Sequence, residues 1–255
     1  MAILTVDRLL AAVAEDRRDA GIVIAAKYQP VGGPGGKVMP PTFPEGPYLT
    51  EDRWVDGERL RTVVIDQAPS QANRVEEALS QARRGGRIAI PVFELTASTE
   101  LGPVRLTSLD FPHRYADAYL RDSEVDGKRF DASEVGSALR TASVDDVRPL
   151  YHREPYSLIF GAWDSHRKGR WPKFARLYSS SMFGLDPIVG DRRGGRMDPL
   201  NLTGRVGETA ASGHWVYRAE GERVKGNKLS EIGHGNIAPG KAHGGVTVTE
   251  VRRQA

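Results

Sequence analysis

At 255 residues, with 39% apolar and 7% aromatic side chains, the chain can bury a proper core as one large domain or two small ones. Cysteine is absent, which excludes disulfides, thiolate zinc sites and thiol catalysis and fits a reducing compartment. Lys and Arg number 36 against 33 acids, a net charge of only +3, so bulk charge identifies no partner, while 28 Gly and 16 Pro point to many loops.

The N-terminus, MAILTVDRLLAAVAEDRR, lacks the features of a secretory signal. No apolar run reaches the ~18 residues of a transmembrane helix, so a cytoplasmic location and no membrane partner are expected. Thr5–Arg18 reads as a helix capped by Thr5, with Leu9, Leu10 and Val13 on one face. Gly21–Tyr28 reads as a well-buried strand. Residues 31–47 form a Gly/Pro loop. Its Gly32-Gly33-Pro34-Gly35-Gly36-Lys37 looks like a phosphate loop, but Val31 stands where the first Gly is needed and Val38 follows Lys37, so a flexible loop is favoured. Tyr48–Val55 and Glu58–Ile65 flank Asp56-Gly57, a strong hairpin signal.

Ser70–Arg84 is a predicted helix, with Ser70 as cap, Val75 and Leu79 inward and Gly85-Gly86 as terminator. Arg87–Leu95 is the next expected strand, with Pro91 arguing for an edge or bulge. Residues 108–150 look helical and polar, with segments at Tyr115–Leu120 and Ala132–Thr141 and an Asp126-Gly127 turn between them. Ser157–Phe160 reads as a buried strand, and Phe174–Phe183 as another. Residues 186–213 read as a glycine-rich mobile loop or extended thumb, Trp215–Val224 as a hairpin around Glu220-Gly221, and Val246–Val251 as a last strand. The order suits an α+β, ferredoxin-like (RRM-like) core with long excursions, without repeats or a domain linker.

From Trp163 to Arg196 eight cations meet three acids, a local +5 that exceeds the net charge of the whole chain. The stretch interleaves Trp163 and Trp171 with Ser165, His166, Arg167, Lys168, Arg170, Lys173 and Arg176, which suits phosphate neutralisation and stacking on unpaired bases. The bland alternative is a solvated basic face with both tryptophans in the core. Where the 62–66 strand runs into the next helix, Ser70, Gln71, Asn73 and Arg74 sit at a helix N-terminus, which either binds an anion or is satisfied by its own loop. His113 and Arg114 near a helix start, and Lys228, His234 and Asn236 in a glycine-spaced run, complete the candidate RNA-binding residues. The six histidines show no metal spacing and no nucleophile elbow occurs, so no catalytic residue, metal or cofactor is expected.

Five segments in order, VMPPTFP…YLTEDR (38–53), VVIDQAPSQANRVE (63–76), PHRYADAYLRDS (112–123), SLIFGAWDS (157–165) and LSEIGHGNI (229–237), resemble the CRISPR-associated RAMP backbone subunit, the Cas-seven family, of type I-G (formerly I-U) Cascade. The resemblance implies a single RRM-like palm domain across 1–255 with helical fingers at 95–155 and a hairpin thumb, formed by either the 28–62 or the 186–228 excursion. It implies copies stacked head to tail on CRISPR RNA, with the guide paired to target DNA. The implied partners are a large subunit, a guide-end-capping subunit and a separate helicase-nuclease. Members of that family continue beyond the last strand read here, so further C-terminal structure is expected. The alternatives are a guide-directed, metal-dependent RNA endonuclease like the type III backbone subunits, for which Asp66, Asp164 and Asp186 are the candidate aspartates although none sits in a motif matching that role, and an unrelated soluble interaction protein.

Overall fold

The computed structural model describes residues 5–16, 19–163, 171–203, 205–208, 215–218 and 227–255. The first half of the chain holds α1 (Val6–Ala12), β1 (Ala25–Tyr28), β2 (Thr50–Val55), β3 (Glu58–Asp66), α2 (Ala68–Arg84), β4 (Glu94–Thr99), β5 (Gly102–Thr107) and α3 (Ala118–Arg121). There follow β6 (Glu124–Val125), β7 (Lys128–Arg129), α4 (Glu134–Arg140), α5 (Arg148–Tyr151) and α6 (Tyr156–Phe160). The last third is β8 (Ser181–Leu185), β9 (Ile188–Arg196), β10 (Arg205–Glu208), β11 (Trp215–Arg218), β12 (Asn227–Lys228), β13 (Ile237–Thr247) and β14 (Val251–Gln254). Helices and antiparallel strand pairs are interspersed, so the fold is α+β as expected.

One compact unit comprises Met1–Tyr28, Val64–Phe183 and Val251–Ala255. In it β1, β14, β8 and the end of β3 lie side by side in that order. β1 and β14 pair antiparallel from Ala25↔Gln254 to Tyr28↔Val251. Ala72 of α2 is buried with Leu109, Tyr156 and Phe160, with Val75 and Leu79 packed against them. A second cluster joins Phe111, Tyr115, Leu120, Phe130, Leu139 and Leu150. Each fully buried Leu or Phe among them stabilises the fold by ~1.5–3 kcal/mol. The stretch expected to be helical and polar therefore supplies most of this unit's core, from short helices and the β4–β5 and β6–β7 hairpins.

The other unit comprises Gln29–Val63 and Gly184–Glu250. The β2–β3 hairpin turns on Asp56 and Gly57, both at positive φ, as its sequence predicted. β9 and β13 form a two-stranded ribbon, and β10 pairs with β11 on one side and β12 on the other.

Several expectations are corrected. α1 keeps the Thr5 cap, whose hydroxyl accepts from Arg8 N at 3.3 Å, but ends at Ala12 rather than Arg18, and its residues are not buried. With no buried residue, so short a helix gains little from packing. The first strand is confined to Ala25–Tyr28 and is largely exposed, because β1 is the end strand of its sheet. Pro91, which lacks an N–H, delays the 87–95 strand until Glu94. Ser157–Phe160 is helical, not extended: Pro155 precedes α6 with a helical φ of -69°, and Glu154 accepts from Ser157 N at 3.1 Å. Phe174 makes only a bridge to Ala162, and the strand expected there is Ser181–Leu185. The presumed loop 186–213 contains β9 and β10, and the final alternating run is split between β13 and β14. β11 pairs with β10, whereas the Glu220-Gly221 turn lies outside the described residues.

Candidate nucleic-acid interface

The strand-to-helix junction is filled by the chain itself. α2 begins at Ala68, with Gln67 as its N-cap, so Ser70 lies inside the first turn instead of capping it. The anion at this N-terminus is Asp66, which accepts from Gln71 Nε2 at 2.6 Å and Arg74 Nε at 2.8 Å. Burial raises the Asp66 carboxyl, but hydrogen bonds from Ser70, Arg74 and Gln71 outweigh it and hold the group below its ordinary value. The network continues from Gln71 Oε1 to the Ser180 hydroxyl at 3.0 Å, which accepts from Arg253 Nε at 2.9 Å, and Arg253 Nη2 donates to the Tyr178 hydroxyl at 2.7 Å. Of the four candidates here, Ser70, Gln71 and Arg74 hold Asp66, and Asn73 is exposed.

Arg114 is also committed internally. It is buried, chelates Glu76, donates to Gly161 O at 2.9 Å and lies 5.2 Å from the Phe160 ring centre. Its neighbour His113 is exposed. Nearby Glu154 is fully buried, and burial pushes its carboxyl up to about 8. Its Oε1, the Ser157 hydroxyl and the Tyr156 hydroxyl find no partner among the described residues.

Of the basic stretch after α6, Ser165, His166, Arg167, Lys168 and Arg170 lie outside the described residues. The flanks are described. Gly161 takes φ 79°, and a Cβ there would lie 3.0 Å from Arg176 N, so glycine is required for the turn out of α6. Trp163 is exposed with Lys173 Nζ 4.1 Å from its ring centre, and Trp171 is half-buried with the Arg140 guanidinium 4.7 Å away. Trp171 packs on the core, as the bland reading expected, while Trp163 does not. Arg176 is exposed and donates to Phe160 O at 3.4 Å.

In the other unit the β9–β13 ribbon carries Arg192, Arg193, Arg196 and Lys241 against the single acid Asp191. Arg193 stands opposite Lys241, and His243 opposite Asp191, which Lys241 reaches at 3.2 Å. All six side chains are exposed. The ribbon is anchored at one end by buried Val246, bridged to Val38, and by the Tyr48 hydroxyl, which accepts from Gly245 N at 2.8 Å. Lys37 lies over Gly190, where a Cβ would approach its Nζ to 2.8 Å. At the opposite end Arg196 donates to His234 O at 2.7 Å and Gly235 O at 3.1 Å. Asn236 accepts from Asp198 N and donates to Asn201, and Asp198 accepts from Gly235 N. Asn236 is thus part of a turn knot, whereas the side chains of Lys228 and His234 are exposed.

The ribbon arginines, Lys241 and Arg140 are not among the residues that the sequence singles out as RNA-binding candidates. Their signal was present as IVGDRRGGR, a basic run with one acid, but its glycines hid the strand. Among the described residues no three His, Asp or Glu gather as metal ligands would, and no helix is long and apolar enough to cross a membrane.

No curated protein matches the chain. The family model described as CRISPR-associated protein GSU0053 matches residues 22–188, well over half of it. The matched span takes in the Asp66 junction, the Arg114 core and the aromatic flanks of the basic stretch. The chain therefore belongs to the CRISPR-associated protein GSU0053 family.

Proposed function

We propose that this protein is a non-catalytic backbone subunit of a type I CRISPR surveillance complex, of the Cas-seven family and type I-G, with a ferredoxin-like palm. Copies assemble along CRISPR RNA, hold its phosphates and leave the bases free to pair with invading DNA. A large subunit and a guide-end-capping subunit complete the complex, and a separate helicase-nuclease cuts. Membership of a CRISPR-associated family supplies the defence context.

The observation that carries the reading is the β9–β13 ribbon. Two exposed strands with four cations and one acid form a basic arm suited to track an RNA backbone, and this is the feature we assign as the thumb. It falls in the 186–228 excursion and its return strand.

The test is binding of repeat-derived RNA, followed by fluorescence anisotropy across a salt series. Arg192→Glu, Arg193→Glu and Lys241→Glu together should weaken binding at least tenfold and flatten the salt slope by about two, given a slope of ~0.7 per phosphate on single strands. Unchanged affinity and slope would overturn the assignment of the ribbon. Regular cuts in complementary RNA with magnesium would overturn the non-catalytic role.

A further inference from the structure

We infer that the cleft between the end of α4 and residues 171–174 binds one unpaired nucleotide, with its ring against the Arg140–Trp171 pair and its phosphate at Lys173. The cavity measures about 290 Å³, at the lower end of the ~300–1,000 Å³ of small-ligand pockets, so it admits a single nucleotide and no duplex. Its walls are chemically divided. Trp171 and Phe174 supply aromatic surface, Arg140 and Lys173 supply positive charge, and Ser143 and Asp145 supply polar groups on the rim. A nucleotide matches each part: a π-face for the guanidinium–indole pair, an anion for the two cations, and base amines for the Asp145 carboxylate.

The cleft is built rather than incidental. Phe174 N and O bond reciprocally with Ala162 at 3.0 and 3.1 Å, and the Tyr115 hydroxyl donates to Pro172 O at 2.5 Å. On the facing wall Ser133 caps α4 through Gly136 N at 3.1 Å, which fixes the helix whose last residue is Arg140. Trp171 and Phe174 pack on the buried cluster around Phe130 and Leu139. Arg140 and Lys173 are exposed residues whose charged heads lie over the Trp171 and Trp163 rings, 4.7 and 4.1 Å from their centres, so a ligand entering from solvent meets each cation beside an aromatic face.

The inference rests on the proposed reading only for the origin of the nucleotide in a longer strand. Its test is therefore made at two levels. In the first, AMP is titrated into the full chain while tryptophan indole resonances are followed by NMR. A saturable shift of the Trp171 indole, lost in Arg140→Gln with Lys173→Gln, is expected. In the second, short single-stranded RNA and DNA are compared with versions carrying abasic sites at constant charge. Wild type should lose about tenfold on base removal, within the ~1–3 kcal/mol of one stacked base. The double variant should bind intact and abasic strands alike while keeping its salt-dependent affinity. A stronger base effect with RNA places the nucleotide in the guide, and a stronger effect with DNA places it in an unpaired DNA strand. A Trp171 shift without any strand binding would uphold the pocket and sink the filament reading. Strand binding with neither an AMP shift nor a base effect would sink the pocket and leave that reading standing.

Discussion

Arg114 clasps Glu76 through two bonds, Nε to Oε1 at 2.6 Å and Nη2 to Oε2 at 2.9 Å, with both side chains buried. The pair ties the start of the PHRYAD segment to the middle of α2, 38 residues away. Removing one partner leaves the other charge buried and uncompensated, at a cost of ~3–5 kcal/mol. Arg114→Ala should therefore lower the denaturant midpoint steeply with the slope unchanged. A variant of wild-type stability with weakened RNA binding would instead return Arg114 to the interface.

The buried Glu154 carboxyl makes stability depend on pH. Its value is raised from an ordinary 4.5 to about 8, first by burial, so the folded state binds its proton more tightly than the unfolded state does. The sign follows: its contribution is fully present below about pH 4.5 and is lost as pH rises towards about 8. Glu76 is also raised by burial, despite Arg114, and acts in the same direction. Thermal melts from pH 5 to 9 should show the wild type losing stability across that window. Glu154→Gln should flatten the loss and melt higher than wild type at pH 8. Parallel curves for the two proteins would rule out a neutral Glu154.

Asp66 has the opposite sign. Burial raises its carboxyl, but bonds from Ser70, Arg74 and Gln71 prevail and hold it below 3.8, so its stabilisation is present above that pH and is lost as acid protonates it. Asp66→Ala removes the acceptor shared by three donors at the start of α2, of which Gln71 is buried while Arg74 is exposed to water, and a buried hydrogen bond to a charged group is worth ~1.5–3 kcal/mol. The expected result is a clear loss of stability in urea. An unaltered midpoint would mean that the junction is not held by Asp66.

The foot of the ribbon turns on Gly245, at φ 80°, where a Cβ would lie 2.7 Å from both Val38 O and the Met39 sulfur. Gly245→Ala should destabilise the protein by ~1–3 kcal/mol through backbone strain alone, before the clash is counted. It should weaken RNA binding as well, by displacing the ribbon's anchor. Thermal melts and anisotropy on the same sample check both effects.

Legibility in the sequence followed the range of the interactions. The β2–β3 hairpin was legible because Asp56-Gly57 selects its turn locally, and α2 because its inward face and Gly85-Gly86 terminator lie within one segment. α6 was misread because a five-residue apolar run has no decisive period, and only Pro155 marked a helix start. The ribbon was missed because β9 finds β13 some forty residues later and its glycines weaken strand patterning. At the candidate interface, residue type alone could not separate Arg114, which is consumed in the core, from exposed His113 beside it. Nor could it reveal that Asp66 already supplies the anion that the α2 N-terminus favours.

The most direct measurement of the central claim is native mass spectrometry of the protein with single-stranded RNAs of increasing length. The account predicts that the number of bound copies rises in regular steps with RNA length, and that the ribbon charge-reversal variant forms no such series. A single copy per RNA at every length, or no complex at low salt, would contradict it.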